Sequence, residues 1–151
     1  MTCGEELDTE DYQAVKLFER RAVTLIPRGH RLYENESVSF AELKGEPIIM
    51  EGDDFWINGE FRRRCLEAGF APDIVIETGD ISFCHKLCAM GRGLGISMDF
   101  VADFIRSDEL RVVPLREELL WPVYLVYRRT GVLSQGARMF RNYLLDAFRI
   151  P

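Results

Sequence analysis

The stretch IVIETGDISFCHKLCAMGRGLGISMD, residues 74–99, predicts a complete βαβ unit. Its first residues, Ile74–Ile76, form a β-branched run that is typical of a strand buried on both faces of a parallel sheet. Gly79 interrupts this run, and Asp80 is suited to cap a helix. The apolar positions that follow recur at helical spacing: Ile81, Cys84, Leu87 and Cys88. A glycine-rich turn then leads to a second strand, Ile96–Met98, which we expect to lie beside the first.

The carboxyl edge of this unit is the expected place for a ligand, because parallel sheets bind ligands at the carboxyl ends of their strands. That edge would carry Glu77, Thr78, Ser97 and Asp99. The run GRGLG at 91–95 has the glycine spacing of a dinucleotide motif, but that motif opens a helix and this run closes one. We therefore interpret Gly91 or Gly93 as a helix C-cap.

The rest of the chain alternates predicted strands and helices, which indicates an α/β fold with a mostly parallel sheet. The predicted strands are Gln13–Phe18, Ala22–Pro27, Pro47–Met50, Leu110–Pro114 and Leu119–Arg128. The predicted helices are Val38–Leu43 after Ser37 or Ser39, Phe55–Ala68, Val101–Arg106, and Ser134–Phe148 with Ser134 as N-cap. Gly69, Phe70 and Pro72 predict a Schellman-type end for the second of these helices.

Length and charge narrow the classes of function. A chain of 151 residues with 47% hydrophobic residues can bury one core. The net charge of −6 has the wrong sign for a domain that binds nucleic acid by itself, and Arg62–Arg64 predict a solvated helix face. No apolar run approaches the roughly 20 residues that span a bilayer. The first residues, MTCGEELDTEDYQ, do not resemble a secretory signal, so we expect a cytoplasmic protein without membrane contact.

Cysteine and histidine give little support for metal binding or catalysis. Cys84 and Cys88 lie four apart on a predicted helix beside His85, but a zinc site needs a second pair and only Cys65 is available. We interpret the cysteines as small buried hydrophobic residues and His85 as a partly exposed helix residue. His30 has no recognisable catalytic partner. We expect no metal, no cofactor and no enzyme activity.

Several phrases, in their joint order and spacing, resemble the C-terminal part of the effector-binding domain of LysR-type transcriptional regulators. They are LIPRGHRL at 25–32, SFAELKGEPII at 39–49, RRRCLEAGFAPDIVIET at 62–78, CAMGRGLGISM at 88–98, VYLVYR at 123–128 and LSQGARMF at 133–140. The resemblance extends from about Tyr12 to Phe148.

The resemblance implies two Rossmann-like lobes of the type 2 periplasmic-binding-protein-like fold, joined by crossover strands. Residues 1–31 would be a remnant of lobe one with the first crossover, and 32–114 the complete second lobe. Residues 115–151 would carry the second crossover strand and the C-terminal helix that returns to lobe one. The family's helix-turn-helix and the first half of lobe one have no counterpart before Met1. We therefore interpret the chain as truncated and expect exposed apolar surface on the helix: Phe140, Tyr143 and Leu144.

The resemblance also implies that the loop after the Pro47–Met50 strand faces the effector cleft between the lobes. The candidate effector residues are Glu51, Gly52, Asp53, Asp54, Phe55 and Trp56, together with the edge residues Glu77, Thr78, Ser97 and Asp99. In the alternative interpretation, Asp53, Asp54 and Asp80 are only helix caps, and the two aromatic residues only pack. The many acidic side chains at this edge favour a neutral or cationic effector. An acidic effector would have to be bound mainly by the absent half of lobe one.

The function that follows is a small-molecule effector-sensing module. The resemblance implies homo-oligomers through the effector domains of the full-length regulator, and contact with DNA only through a separate domain. Effector binding would shift the population of oligomer arrangements. One alternative is a lobe of a two-lobed solute-binding protein, which needs an export signal. Another is an α/β enzyme such as a dehydratase, which needs a positioned acid or base.

Overall fold

The protein, seen in a computed structural model, is described at residues 8–100 and 107–149. The strands are β1 (Tyr12–Pro27), β2 (Pro47–Glu51), β3 (Asp73–Thr78), β4 (Leu94–Met98), β5 (Leu110–Pro114) and β6 (Leu120–Arg128). The helices are α1 (Trp56–Glu67), α2 (Ile81–Ala89) and α3 (Gln135–Ala147), with a 3-10 helix at Phe40–Leu43. The chain divides into a larger unit, Arg21–Leu120, and a smaller unit made of Met1–Arg20 and Trp121–Pro151.

The larger unit contains a mixed sheet with the strand order β3-β2-β4-β1-β5. β2 is parallel to both of its neighbours, β3 and β4. β1 is antiparallel to β4 and to β5. α1 connects β2 to β3, and α2 connects β3 to β4. The α/β class is confirmed, and β1 is the strand that departs from a mostly parallel sheet.

Two predictions about the βαβ unit are wrong. Its strands β3 and β4 do not pair with each other, because β2 lies between them. β3 is an edge strand whose residues alternate between exposed and half-buried, and Val75 is 47% exposed. A β-branched run of three residues is compatible with an edge strand as well as a central one, because β propensity reflects packing on either face.

β1 is one continuous strand where the sequence predicts two. The polar residues 19–21 separate the two predicted strands, but they are exposed within β1 and do not interrupt it. The remaining strands and the helices α1, α2 and α3 begin and end within about two residues of their predicted bounds. The turn predicted as a helix from Val38 is a shorter 3-10 helix, with Ser39 as its N-cap. The predicted helix Val101–Arg106 lies outside the described residues.

The larger unit buries apolar side chains on both faces of its sheet. On one face, Ile48 and Met50 belong to the same core cluster as Phe61 of α1. On the other face, Ile49 belongs to a second cluster with Cys84 of α2. Alternate residues of β2 therefore serve opposite layers, as the two-residue period of a strand requires. The free cysteines Cys65, Cys84 and Cys88 are all buried, which confirms their interpretation as small hydrophobic residues.

Glycine caps end α1 and α2. Gly69 follows α1 with a φ of 87°. Its N–H donates to Leu66 O at 3.0 Å, and the Phe70 N–H donates to Cys65 O at 3.1 Å, which is the predicted Schellman pattern. Gly91 follows α2 with a φ of 70°, so the glycine-rich run begins as a helix cap.

The next glycines of that run permit close packing. A Cβ at Gly95 would lie 2.7 Å from Cys88 Sγ and 3.0 Å from Leu25 Cβ. A Cβ at Gly93 would lie 2.6 Å from the carbonyl oxygen of Pro47. Each distance is shorter than a normal contact, so only glycine allows α2 and β2 to approach β4 this closely.

The smaller unit contains β6, which pairs with β1, and α3. The Ser134 Oγ caps α3 by accepting a hydrogen bond from the Ala137 N–H at 3.2 Å, as predicted. No residue of α3 is buried, and its side chains Phe140 and Tyr143 are 61% and 67% exposed. The expected exposure is confirmed at Phe140 and Tyr143, whereas Leu144 is only partly exposed.

We predict that Gly95→Ala lowers the free energy of unfolding by about 1–3 kcal/mol, because the added methyl group collides with α2 and β1. Urea denaturation measures the change. Gly59→Ala is the matched control: Gly59 lies within α1, no atom lies within 4 Å of its added Cβ, and alanine there should stabilise by about 0.5–1 kcal/mol. Equal effects of the two substitutions would contradict the close packing at Gly95.

Candidate functional site

The carboxyl edge of the larger unit is formed where β2, β3 and β4 end side by side. Glu51 is the last residue of β2, and its register partner in β3 is Thr78. On the other side, Ile49 of β2 pairs with Gly95 of β4, so Glu51 and Ser97 each lie two residues further along neighbouring strands. The structure therefore places Glu51 between two of the other predicted effector residues.

Asn58 joins the ends of β2 and β3 to α1. Its amide Nδ2 donates to the backbone oxygen of Glu51 at 2.8 Å and to Glu77 Oε1 at 2.7 Å. Arg62 donates from Nε to Asn58 Oδ1 and from Nη2 to Glu77 Oε1, both at 2.7 Å. The hydrogen bonds from Asn58 and Arg62 hold the pKa of Glu77 below its usual range. We call the hydrogen-bonded group of Asn58, Arg62 and Glu77 the clamp. Within it, the Glu77 carboxylate already has two donors.

Other predicted site residues also have partners within the protein. Asp80 Oδ1 accepts from the Phe83 N–H at 3.1 Å and caps α2, as predicted. The Thr78 hydroxyl accepts from the Asp80 N–H at 3.1 Å. Asp99 accepts from the N–H groups of Arg21 at 3.3 Å and Phe100 at 2.6 Å. Thr78, Asp80 and Asp99 thus already accept hydrogen bonds from backbone N–H groups at this edge.

The loop after β2 differs, because its two aspartates form no hydrogen bond or ion pair with the described residues. The N-cap of α1 is Phe55, without a side-chain cap, so the interpretation of Asp53 and Asp54 as caps is wrong. Both aspartates are exposed. Phe55 is 41% exposed, whereas Trp56 packs against the core. The exposed loop 52–55 is therefore the part of the edge that is free to meet a ligand.

Beneath α2, a buried polar cluster adjoins this edge: Glu51, Cys84, His85 and Ser97. Glu51 is 5% exposed, and burial raises the pKa of its carboxyl group. His85 is 2% exposed rather than partly exposed as predicted, and burial lowers its pKa. The His85 Nε2 lies 3.1 Å from the Ser97 Oγ. Burial, followed by the nearby charge of Glu51, raises the pKa of the Cys84 thiol to about 11, so this cysteine is not reactive.

Two atoms of this cluster have no hydrogen-bond partner among the described residues: Glu51 Oε2 and His85 Nδ1. Most buried polar atoms in proteins are paired, because an unpaired one loses its hydrogen bonds to water without replacement. Such atoms mark a place where a further molecule can supply what the protein does not.

Sequence reasoning did not identify the role of Asn58, and it misplaced His85. Asn58 shares a helix face with Phe61 and Cys65, three and seven residues further on, and His85 shares one with Ile81. A polar residue on an apolar helix face is the signal that could have identified both, because burial there requires a partner. The spacing shows that such a residue is buried, but the identity of its partner needs the fold.

The three consecutive arginines on α1 do not form a phosphate site. Arg62 pairs with Glu77, Arg63 with Glu60 and Glu67, and Arg64 with Glu60. Paired charges of this kind are typical of a solvated helix face, as predicted. Within residues 8–100 and 107–149, no group of three or more His, Cys, Asp or Glu is placed to hold a metal ion. No helix in these ranges is long and apolar enough to cross a membrane.

A sheet with a helix on each face and a polar edge where its parallel strands end is the form of a ligand-binding α/β lobe. A family model described as the LysR substrate binding domain matches residues 2–149. The chain therefore belongs to the LysR substrate-binding domain family, and the resemblance noted in its sequence is confirmed.

Individual relatives agree with this assignment. The uncharacterized HTH-type transcriptional regulator YwbI of Bacillus subtilis (strain 168) is 24% identical over 140 residues, which cover 89% of this chain and 46% of that protein. The chain thus spans less than half the length of this curated relative.

Two solved structures show the same fold. The CcmR regulatory domain of Synechocystis PCC6803, in complex with 2-PG, has a TM-score of 0.82 at 16% identity and covers 93% of this chain and 68% of that one. The effector binding domain of QuiR, in complex with shikimate, has a TM-score of 0.80 at 14% identity, covering 94% and 68%. The type 2 periplasmic-binding-protein-like α/β fold is thereby confirmed.

We predict that Asn58→Ala lowers the free energy of unfolding by about 1–3 kcal/mol, because it leaves the buried end of β2 without its donor. Chemical denaturation measures the loss. Asn142→Ala on α3 removes an exposed side chain and should change stability by less than about 0.5 kcal/mol. A loss at Asn58 no larger than at Asn142 would show that the clamp contributes nothing.

We predict that Glu51→Gln is more stable than the wild type, by on the order of 1 kcal/mol near neutral pH. The pKa of Glu51 is raised above the ordinary value of 4.5, so the unfolded chain ionises first as pH rises. The wild type therefore loses stability above that value until the folded pKa is passed, whereas glutamine has no proton to lose.

Urea unfolding at a series of pH values measures this difference. Asp73→Asn, which removes an exposed carboxylate at the start of β3, controls for the change in net charge. A difference between wild type and Glu51→Gln that stays constant with pH would contradict the raised pKa.

Proposed function

We propose that this chain senses a small-molecule effector at the carboxyl edge of its larger unit, as part of a LysR-type transcriptional regulator. The contacts would come from the loop Glu51–Trp56 and from the neighbouring strand ends, at Glu77, Thr78, Ser97 and Asp99. The observation that carries the proposal is the acidic loop after β2, where Glu51 Oε2, Asp53 and Asp54 have no partner among the described residues. Two regulators of the same fold hold small molecules, 2-PG in one and shikimate in the other.

The candidate residues would act in two ways. Asp53, Asp54 and Phe55 are exposed and would touch the effector directly. Glu77 and Asp99 are hydrogen-bonded within the protein and would position the loop and the strand ends. The two roles differ because Glu77 and Asp99 already accept hydrogen bonds within the protein, and an acid with such bonds gains little by binding a ligand.

The proposed effector is neutral or cationic. Among the described residues, Asp53, Asp54 and the Oε2 atom of Glu51 have no partner at this strand end, and the nearby Arg62 is bound to Asn58 and Glu77. An anionic effector would be repelled by this field. A dianion would need cations from a part of the regulator outside this chain.

The remaining expectations extend the proposal to the whole regulator. The larger unit would correspond to the second lobe, residues 32–114, with residues 1–31 and 115–151 belonging to the crossovers and lobe one. The effector domains would form homo-oligomers in the cytoplasm, and a separate domain would bind DNA. These roles are supported by relatives named as HTH-type transcriptional regulators, which also speak against an enzyme or an exported solute-binding protein. Effector binding would shift the oligomer population if the two arrangements bind it with different affinity.

The test is a thermal-shift screen of the 151-residue chain against amines, amino acids, polyols and dicarboxylates, followed by calorimetry on each compound that stabilises it. We expect a neutral or cationic compound to bind, and Asp53→Asn combined with Asp54→Asn to weaken it by about tenfold. Asp73→Asn at the opposite edge should leave the affinity unchanged. Binding of dianions alone, unaffected by the double substitution, would overturn the proposed site.

A further inference from the structure

The buried cluster beneath α2 contains more hydrogen-bonding capacity than the protein uses. Glu51 and His85 come from different elements, β2 and α2, and each has one buried atom that finds no partner within residues 8–100 and 107–149. Ser97 of β4 uses its hydroxyl to contact the other nitrogen of His85. The Ser97 hydroxyl therefore does not pair with either of the two unpartnered atoms, Glu51 Oε2 and His85 Nδ1. A donor from outside would recover an interaction that folding leaves unmade.

The position of Glu51 makes it the reachable member of the cluster. It is the last residue of β2, and the exposed loop begins at the next residue, Gly52. Its backbone oxygen is held by Asn58, so the strand end is fixed while the carboxyl group lies on the opposite, α2-facing side. Among the residues of the cluster, Glu51 therefore lies nearest along the chain to the exposed residues Asp53–Phe55.

The charges around Glu51 favour a cation. Asp53 and Asp54 follow it in the loop, and Asp80 lies at the start of α2, close enough for its charge to act on Cys84 together with that of Glu51. No described lysine or arginine bonds to Glu51. A charge-assisted hydrogen bond from an ammonium group to a carboxylate is stronger than one between neutral groups, and it gains further where water is excluded.

We propose that the effector carries an ammonium group that binds the Glu51 carboxylate, with Ser97 and His85 forming the polar floor behind it. This inference rests on the proposed effector site for the entry route, and it narrows the ligand class to amines. Glu51 is then the residue that selects the ammonium group, whereas the exposed Asp53 and Asp54 contact the remainder of the effector.

The test uses three probes of nearly equal size on the full chain: ethanolamine, ethylene glycol and glycolate. Two-dimensional NMR follows the backbone amides of Ser97 and His85 during each titration. We expect ethanolamine to shift both amides with a dissociation constant on the order of 1 mM or weaker, as suits so small a ligand. Ethylene glycol should bind more weakly, and glycolate should not shift these amides.

Variants separate this proposal from the wider one. Glu51→Gln should weaken ethanolamine by at least about tenfold, while Asp73→Asn leaves it unchanged. NMR spectra of each variant show whether it is folded. Ethanolamine shifts that survive Glu51→Gln, or that are confined to Asp53 and Asp54, would overturn the role of Glu51 and leave the edge as an effector site. Failure of all three probes at Ser97 and His85, alongside a screen in which only larger compounds without an amino group bind, would overturn the amine class and leave the effector site in place.

Discussion

The central place of β2 is the constraint on which the rest of this structure depends. A strand that is hydrogen-bonded on both sides and covered on both faces has no route to solvent except at its ends. Its last residue, Glu51, lies at such an end but is only 5% exposed, so its carboxyl group and its backbone oxygen are both buried. The backbone oxygen is satisfied by Asn58, which has to sit on an otherwise apolar helix face to reach it. One oxygen of the carboxyl group, Oε2, has no hydrogen-bond partner among the described residues, and the proposed site is built on that atom.

The acids of the carboxyl edge look alike in the sequence but differ in the structure by what they contact. Glu77 is bound by two donors, Asp80 caps a helix, and Asp99 accepts backbone N–H groups. Asp53 and Asp54 of the β2 loop have no such partners in the part of the chain that the structure describes. Because a hydrogen bond already made is not available to a ligand, the proposed effector contacts are assigned to this loop. The opposing shifts of pKa at Glu51 and His85 have the same cause, since burial favours the neutral form of each.

Local patterns predicted the elements well because each element is specified by neighbouring residues. The helix α2 has its capping aspartate, its apolar spacing and its glycine end within twelve residues of sequence, 80–91. Strand order was less accessible: nothing in the run Ile74–Ile76 indicates that β2 inserts between it and β4. The same limit applied to the site. The edge residues followed from strand ends, but the clamp and the buried cluster join residues from separate elements, and the register that joins them is set by the whole sheet.

The distribution of burial shows which part of the chain the site relies on. Every buried hydrophobic residue among the described residues lies between Ala22 and Leu119, within the larger unit. The helix α3 of the smaller unit buries none, although its apolar residues follow a helical period. Hydrophobic burial is the main favourable term in folding, and in the described residues it is concentrated in the larger unit. The Glu51 cluster and the Asn58 clamp both lie inside that unit. The geometry of the candidate site therefore depends on the core of the unit that contains it.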